Sequence, residues 1–137
     1  MDDRLFVTDQ RSGLVFFIST SSVSLIDYDS IQNNIRPDEM TPTSGLQLDS
    51  HGKRFNVLGQ IERNIDIGLE RPLAFKFFVV QGSGVNVIGK DFLKEHRMRL
   101  SFDQGEMKLI SQKGTEINLT EVLLSSNIPD LIAFRLV

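Results

Sequence analysis

The feature that most constrains this chain is the shortness of its apolar runs and how often turn residues interrupt them. The longest run, Leu14-Val15-Phe16-Phe17-Ile18, has the length of one strand. It falls far short of the ~18 apolar residues that cross a membrane as a helix. Runs at 5–8, 14–18, 23–26, 46–48, 55–58, 73–80, 85–88, 100–102, 107–110 and 131–136 read as strands. Residues 61–69 alternate in part, through Ile61, Ile65, Ile67 and Leu69. Polar turns at 10–13, 49–53 and 103–105 join neighbouring runs into hairpins. Helix is confined to two places. Residues 91–97 carry an acidic first turn and a basic last turn, which suits the helix dipole. Residues 119–126 read as one or two helical turns, with Thr120 as the N-cap. Many short strands with little helix predict an all-β sandwich or barrel.

Residues 27–45 are polar, hold Pro37 and Pro42 and offer few apolar anchors, so a long mobile surface loop is expected there. Phe16, Phe17, Phe75, Phe77 and Phe78 are core candidates. Strand alternation predicts that one of each neighbouring pair faces outward.

At 137 residues the chain is expected to be a single domain, 1–137. It has no cysteine, which excludes disulfides, thiolate zinc sites and thiol catalysis. Fifteen basic against eighteen acidic residues give a net charge of −3, so the footprint of a nucleic-acid binder is missing and no such partner is expected. Lys94, His96, Arg97 and Arg99 read as a solvated helix face. Gly82-Ser83-Gly84 has Val87 where a dinucleotide loop needs its third glycine, and reads as a turn. No metal and no cofactor are expected. Met1-Asp2-Asp3-Arg4 lacks the basic start and apolar core of a signal peptide. Intracellular, cytoplasmic residence is therefore expected, with the nucleus left open, no membrane as partner, and the sequon at Asn118 taken as chance.

Three stretches, in order, carry a resemblance. Arg4-Leu5-Phe6-Val7-Thr8-Asp9, Gly13-Leu14-Val15-Phe16-Phe17-Ile18 and Ser19-Thr20-Ser21-Ser22-Val23-Ser24-Leu25-Ile26 form the first. Asn86-Val87-Ile88-Gly89-Lys90-Asp91-Phe92-Leu93 is the second, followed by Arg99-Leu100-Ser101-Phe102 and Met107-Lys108-Leu109-Ile110. His51-Gly52, with Gly59 seven residues on, is the third. Together they resemble a retropepsin, the aspartic protease domain of Gypsy (Ty3-type) retrotransposons, over residues 4–110. Residues 111–137 would be a C-terminal extension. The resemblance implies half of an acid-protease closed β-barrel with one short helix, pairing as a homodimer. It implies an active-site turn at Ser19, Thr20 and Ser21, a peptide-covering flap at Ser50, His51, Gly52 and Lys53, and supporting positions at Ile88 and Gly89.

The departure lies at the chemistry. The family carries Asp-Thr/Ser-Gly where this chain has Ser19-Thr20-Ser21. Two such aspartates share one proton and divide the roles of base and acid. A serine is neutral at physiological pH and cannot do this. Asp9, Asp27 and Asp29 lie in the wrong places to substitute. A Ser19–His51 nucleophile pair is weighed and set below a plain turn histidine, because such a pair needs specific geometry. His96 reads as a solvated helix end.

The expectation is a catalytically silent retropepsin-like domain, a pseudoprotease acting in dimerisation or in binding an extended peptide or partner protein. The alternative is an aspartic endopeptidase that processes a retroelement polyprotein, silenced by Ser19 standing where an active parent has Asp.

Overall fold

The computed structural model describes residues 3–123 and 132–137. Thirteen strands and two short helices follow one another along these residues. β1 (Asp3–Thr8) and β2 (Val15–Ile18) form the first hairpin, with Phe6 opposite Phe17. Asp9 builds its turn. The buried carboxylate accepts from Arg11 N–H, Ser12 Oγ–H at 2.6 Å and Asp66 N–H at 2.8 Å. β3 (Leu25–Asp27) and β8 (Asn86–Ile88) lie at the centre of the sheet. β8 runs parallel to β2 and antiparallel to β3, while β3 runs parallel to β7 (Leu73–Val80).

β5 (Gln47–Ser50) and β6 (Lys53–Ile65) make the second hairpin. Its two turn residues, His51 and Gly52, have φ of 53° and 84°, the paired positive values of a type I′ turn. β6 is long enough to serve two places. Phe55 and Val57 face one apolar cluster, and Ile61 and Ile65 face another. A register shift between Val57 and Gly59 marks the change, as a bulge does.

β12 (Thr120–Leu123) adds to the free edge of β1, and β13 (Arg135–Leu136) to that of β5. β4 (Met40–Pro42) lies against β6. The main sheet thus has ten strands, running from β12 to β13 as an open path rather than the closed barrel expected. β9 (Arg99–Asp103), β10 (Glu106–Ile110) and β11 (Glu116–Asn118) form a separate three-stranded sheet. Gln104 and Gly105 turn its first hairpin, again with positive φ at both.

Three further expectations are corrected. Residues 27–45 are not a bare loop. They hold helix α1 (Tyr28–Ile31), a 3-10 turn (Pro37–Glu39) and β4. Ile31 is buried, and Glu39 accepts from Arg36 N–H and pairs with Arg63 of β6 at 3.1 Å. Residues 120–123 are strand, not helix, because Thr120 finds the open edge of β1 opposite Phe6. Residues 124–126 of that expected helix, and Leu131 of the last expected strand, lie outside the described residues. Lastly, Phe16 and Phe17 are both buried, as are Phe75 and Phe77, and Phe78 is partly so. Alternation holds, but around these residues each face of the sheet carries its own apolar cluster, so both members of the pair are covered, while Glu62 and Lys76 further along β6 and β7 stay exposed.

The two faces have separate cores. One gathers Phe16, Ile26, Ile61, Phe77 and Ile88 under helix α2 (Lys90–Glu95), with Phe92 stacked on Phe75 and Phe77, and under Leu109 of β10. The other gathers Phe17, Leu25, Leu48, Phe55, Val57, Val80, Val85 and Val87 around Ile132 and Phe134.

Candidate functional site: a cleft closed by the chain's own end

The connection from β2 to β3 runs through Ser19, Thr20, Ser21 and Ser22. It is held from behind by the segment after β8. Lys90 N–H donates to Ser22 O at 2.8 Å. Gly89 N–H donates to Ser24 Oγ at 2.7 Å, and Ser24 Oγ–H donates to Asp91 at 2.6 Å. Asp91 also accepts Ser24 N–H and Phe92 N–H. The approach at Gly89 is close enough that a Cβ there would lie 2.0 Å from Ser22 O. Only glycine fits. Ile88 O accepts Ser19 N–H at 3.1 Å, so β8 aligns the loop from its first residue.

On its other side the loop meets residues 132–134. Ser19 Oγ–H donates to Ile132 O at 2.5 Å. Phe134 N–H donates to Ser22 Oγ at 3.1 Å, and Val23 N–H donates to Phe134 O at 2.9 Å. The chain then continues as β13 along β5, with Arg135 opposite Asp49, Leu136 opposite Leu48, and Val137 N–H donating to Gln47 O. An extended segment therefore lies between the Ser19–Ser22 loop and the β5–β6 hairpin. Ile132, Ala133 and Phe134 are 3%, 5% and 0% exposed. Three buried residues in a row mean that both faces of the segment are covered. Phe134 meets Phe55 edge to face, with ring centres 5.4 Å apart. Burying Ile132 and Phe134 is worth roughly 1.5–3 kcal/mol each.

The expected site residues fall as follows. Ser19 and Gly89 both lie at the β2–β3 loop, Ser19 N–H on Ile88 O and the Gly89 backbone against Ser22 O. Thr20 and Ser21 are exposed. Ile88 is buried beneath the loop. Ser50, His51, Gly52 and Lys53 form the hairpin tip, with Ser50 buried and Lys53 Nζ 5.2 Å from the Phe55 ring centre. Ser19 gives its proton to a backbone carbonyl, which is no general base, so the hydroxyl is held as a hydrogen-bond donor and not as a nucleophile. Asp9 is spent on its turn. Asp27 sits level with Val85, at the far end of β2 from Ser19, on the order of 13 Å of strand away. Asp27 is buried, and among the described residues its Oδ1 finds no hydrogen-bond partner. Burial raises its pKa above the ordinary 3.8, repulsion from Asp29 adds to this, and the N–H groups of Asp29, Gly82 and Gly84 oppose it.

Sequence reasoning missed Ser22, Ser24 and Asp91 as loop supports, and Ile132 and Phe134 as occupants. The signal for Asp91 stood in the Gly89-Lys90-Asp91 stretch. The signal for Ile132 and Phe134 was an apolar run read as a strand whose partner the sequence did not name.

Among the described residues, no group of three His, Cys, Asp or Glu side chains is placed to hold a metal ion. No helix among them is long and apolar enough to cross a membrane. No protein-family model matches the chain, and no curated protein matches it.

Proposed function

We propose that this chain is a peptide-binding module on a retropepsin-like scaffold, without acid-dyad chemistry. One observation carries the reading: the cleft between the Ser19–Ser22 loop and the β5–β6 hairpin already seats an extended backbone. The loop offers a donor at Ser19 Oγ, an acceptor at Ser22 Oγ and a donor at Val23 N. The β5 edge supplies a ladder. Strand addition of this kind takes affinity from main-chain hydrogen bonds and specificity from side-chain pockets. The order of the three matching stretches supports the retropepsin-like assignment, and the close packing of Gly89 on the loop is consistent with it. Ser19 and Ser21 in place of Asp and Gly support the loss of proteolysis.

A homodimer of the kind the resemblance implies needs an unpaired central turn and unpaired terminal strands. Among the described residues, β12 covers β1 and residues 132–134 cover the turn. We therefore assign the cleft to a peptide rather than to a symmetric mate.

Selection from a library of extended peptides, read by amide shifts in NMR, tests the reading. Enriched peptides should move the amides of Val23, Gln47 and Asp49 and remain uncut from acidic to neutral pH. Absence of any binder, both in the chain as it stands and in a Phe134→Ala variant, contradicts the reading. Cleavage by the unaltered chain contradicts it too.

A further inference from the structure

We infer that residues 132–137 are a resident, displaceable occupant that regulates this cleft, and that the peptide displacing them carries the same side-chain order. The inference rests on the reading above and adds two things to it: who competes, and for which sequence.

The competition follows from the hydrogen bonds. Every loop group that would hold a peptide backbone is already engaged by residues 132 and 134, and the β5 edge by residues 135–137. A covalently attached competitor acts at an effective concentration of roughly mM when the connection is short. An incoming peptide therefore binds with an apparent Kd equal to its intrinsic Kd divided by the fraction of molecules that are open. The hold is uneven along the segment. Residues 132–134 are buried, whereas Arg135, Leu136 and Val137 are exposed, the last two at 50% and 63%. The exposed strand β13 is thus the natural place for a competing strand to begin, peeling it from β5 before Phe134 leaves its pocket.

The specificity follows from what each position meets. Ile132 and Phe134 fill the cluster of Phe17, Leu48, Phe55, Val80 and Val87. Ala133 is buried between them, so a larger side chain there would have to displace what covers it. Arg135 stands opposite Asp49 across the ladder, where Asp49 also pairs with Arg54 at 3.4 Å, and opposite charges across a strand pair are favourable. The pattern is a branched aliphatic residue, a small one, an aromatic and a base.

The test uses the whole chain and a synthetic peptide with the sequence of residues 131–137. Its affinity is measured by isothermal titration for the unaltered chain, for Phe134→Ala and for Val137→Pro. Phe134→Ala empties the main pocket. Val137→Pro removes one N–H, to Gln47 O, from an exposed position, and keeps the test valid should Phe134→Ala fail to fold. Opening the resident segment should tighten peptide binding by about ten-fold or more in Phe134→Ala and by a few-fold in Val137→Pro. A peptide with alanine at its phenylalanine position should lose binding to all three. Equal affinity for all three chains overturns the inference, and so does failure of this peptide to bind any chain while library peptides do. In both cases the peptide-binding reading survives. A dimer in sedimentation that the peptide dissociates also overturns it, by making a second copy the occupant.

Discussion

At the scale of the residue, Gly89 carries the heaviest constraint. A methyl group there would meet the backbone at Ser22 O and Ser22 C, and backbone cannot swing aside as a side chain does. Gly89→Ala should cost about 3 kcal/mol, the upper part of the range for overpacking, read as a fall in the urea midpoint. Ser19 makes a finer test. An ionised Ser19→Asp places one acceptor against another, Ile132 O, and leaves that carbonyl unpaired at a cost of about 1–3 kcal/mol. Its stability should recover as acid restores a proton to the new carboxyl group. Ser19→Asn keeps a donor and should show no such recovery. Asp27 predicts a different pH dependence. Its folded pKa is raised, so the protein is favoured by the protonated form. That contribution is complete below the ordinary value of 3.8 and is lost as pH climbs through the raised value. Asp27→Asn should therefore stabilise the chain at pH 7 relative to its parent, and the gap should close on acidification. An equal gap at both ends of the pH range contradicts this assignment. The sequence showed Ser19 as the place where chemistry departs, because its neighbours match a pattern. It did not show what the serine does, because the partner is a carbonyl 113 residues away that no local pattern announces.

At the scale of the element, hairpins were the most legible. His51-Gly52 and Gln104-Gly105 each place two positive φ values between short apolar strands, and such turns are local chemistry. Replacing Gly52, at φ 84°, with valine should cost about 1–2 kcal/mol, since a β-branched residue resists that conformation. Thermal unfolding would show it. Residues 27–45 were misread because their anchors are long-range. Ile31 is buried against distant residues, and Glu39 finds Arg63 on β6. β12 was misread as helix for the same reason: an open strand edge outweighed a weak local preference. The segment 132–137 makes its own prediction. A buried phenylalanine cut to alanine ordinarily costs about 3–5 kcal/mol. If the segment leaves as a unit, the loss in Phe134→Ala cannot exceed the docking free energy of the segment. Adding Ile132→Ala to it should then cost less than Ile132→Ala alone. Full additivity in denaturant unfolding would show that the segment belongs to the core and does not detach.

At the scale of the whole molecule, two cores share one central sheet. The face under α2 and the β9–β11 sheet closes with residues the sequence marks as strands and helix. The opposite face gathers residues far apart in the sequence, with Phe17 and Phe134 in one cluster. The all-β character was therefore legible from spacing, whereas the open sheet and the filled cleft were not. The same arrangement bears on assembly. With β1 covered by β12 and the loop covered by residues 132–134, the account predicts a monomer in sedimentation up to high micromolar concentration. The most direct test of the central claim is amide hydrogen exchange at Phe134 and Val23, read by NMR with and without the peptide of residues 131–137. Both amides bridge the loop and the segment, Phe134 to Ser22 Oγ and Val23 to Phe134 O. The account predicts that both are protected. It also predicts that they open together, at a lower free energy than the β6 and β7 amides. Excess peptide should speed exchange at Phe134 while Val23, paired with the newcomer, stays protected. Without added peptide, exchange of Phe134 at the rate of an unstructured chain would contradict the account, as would protection that never parts from that of β6 and β7.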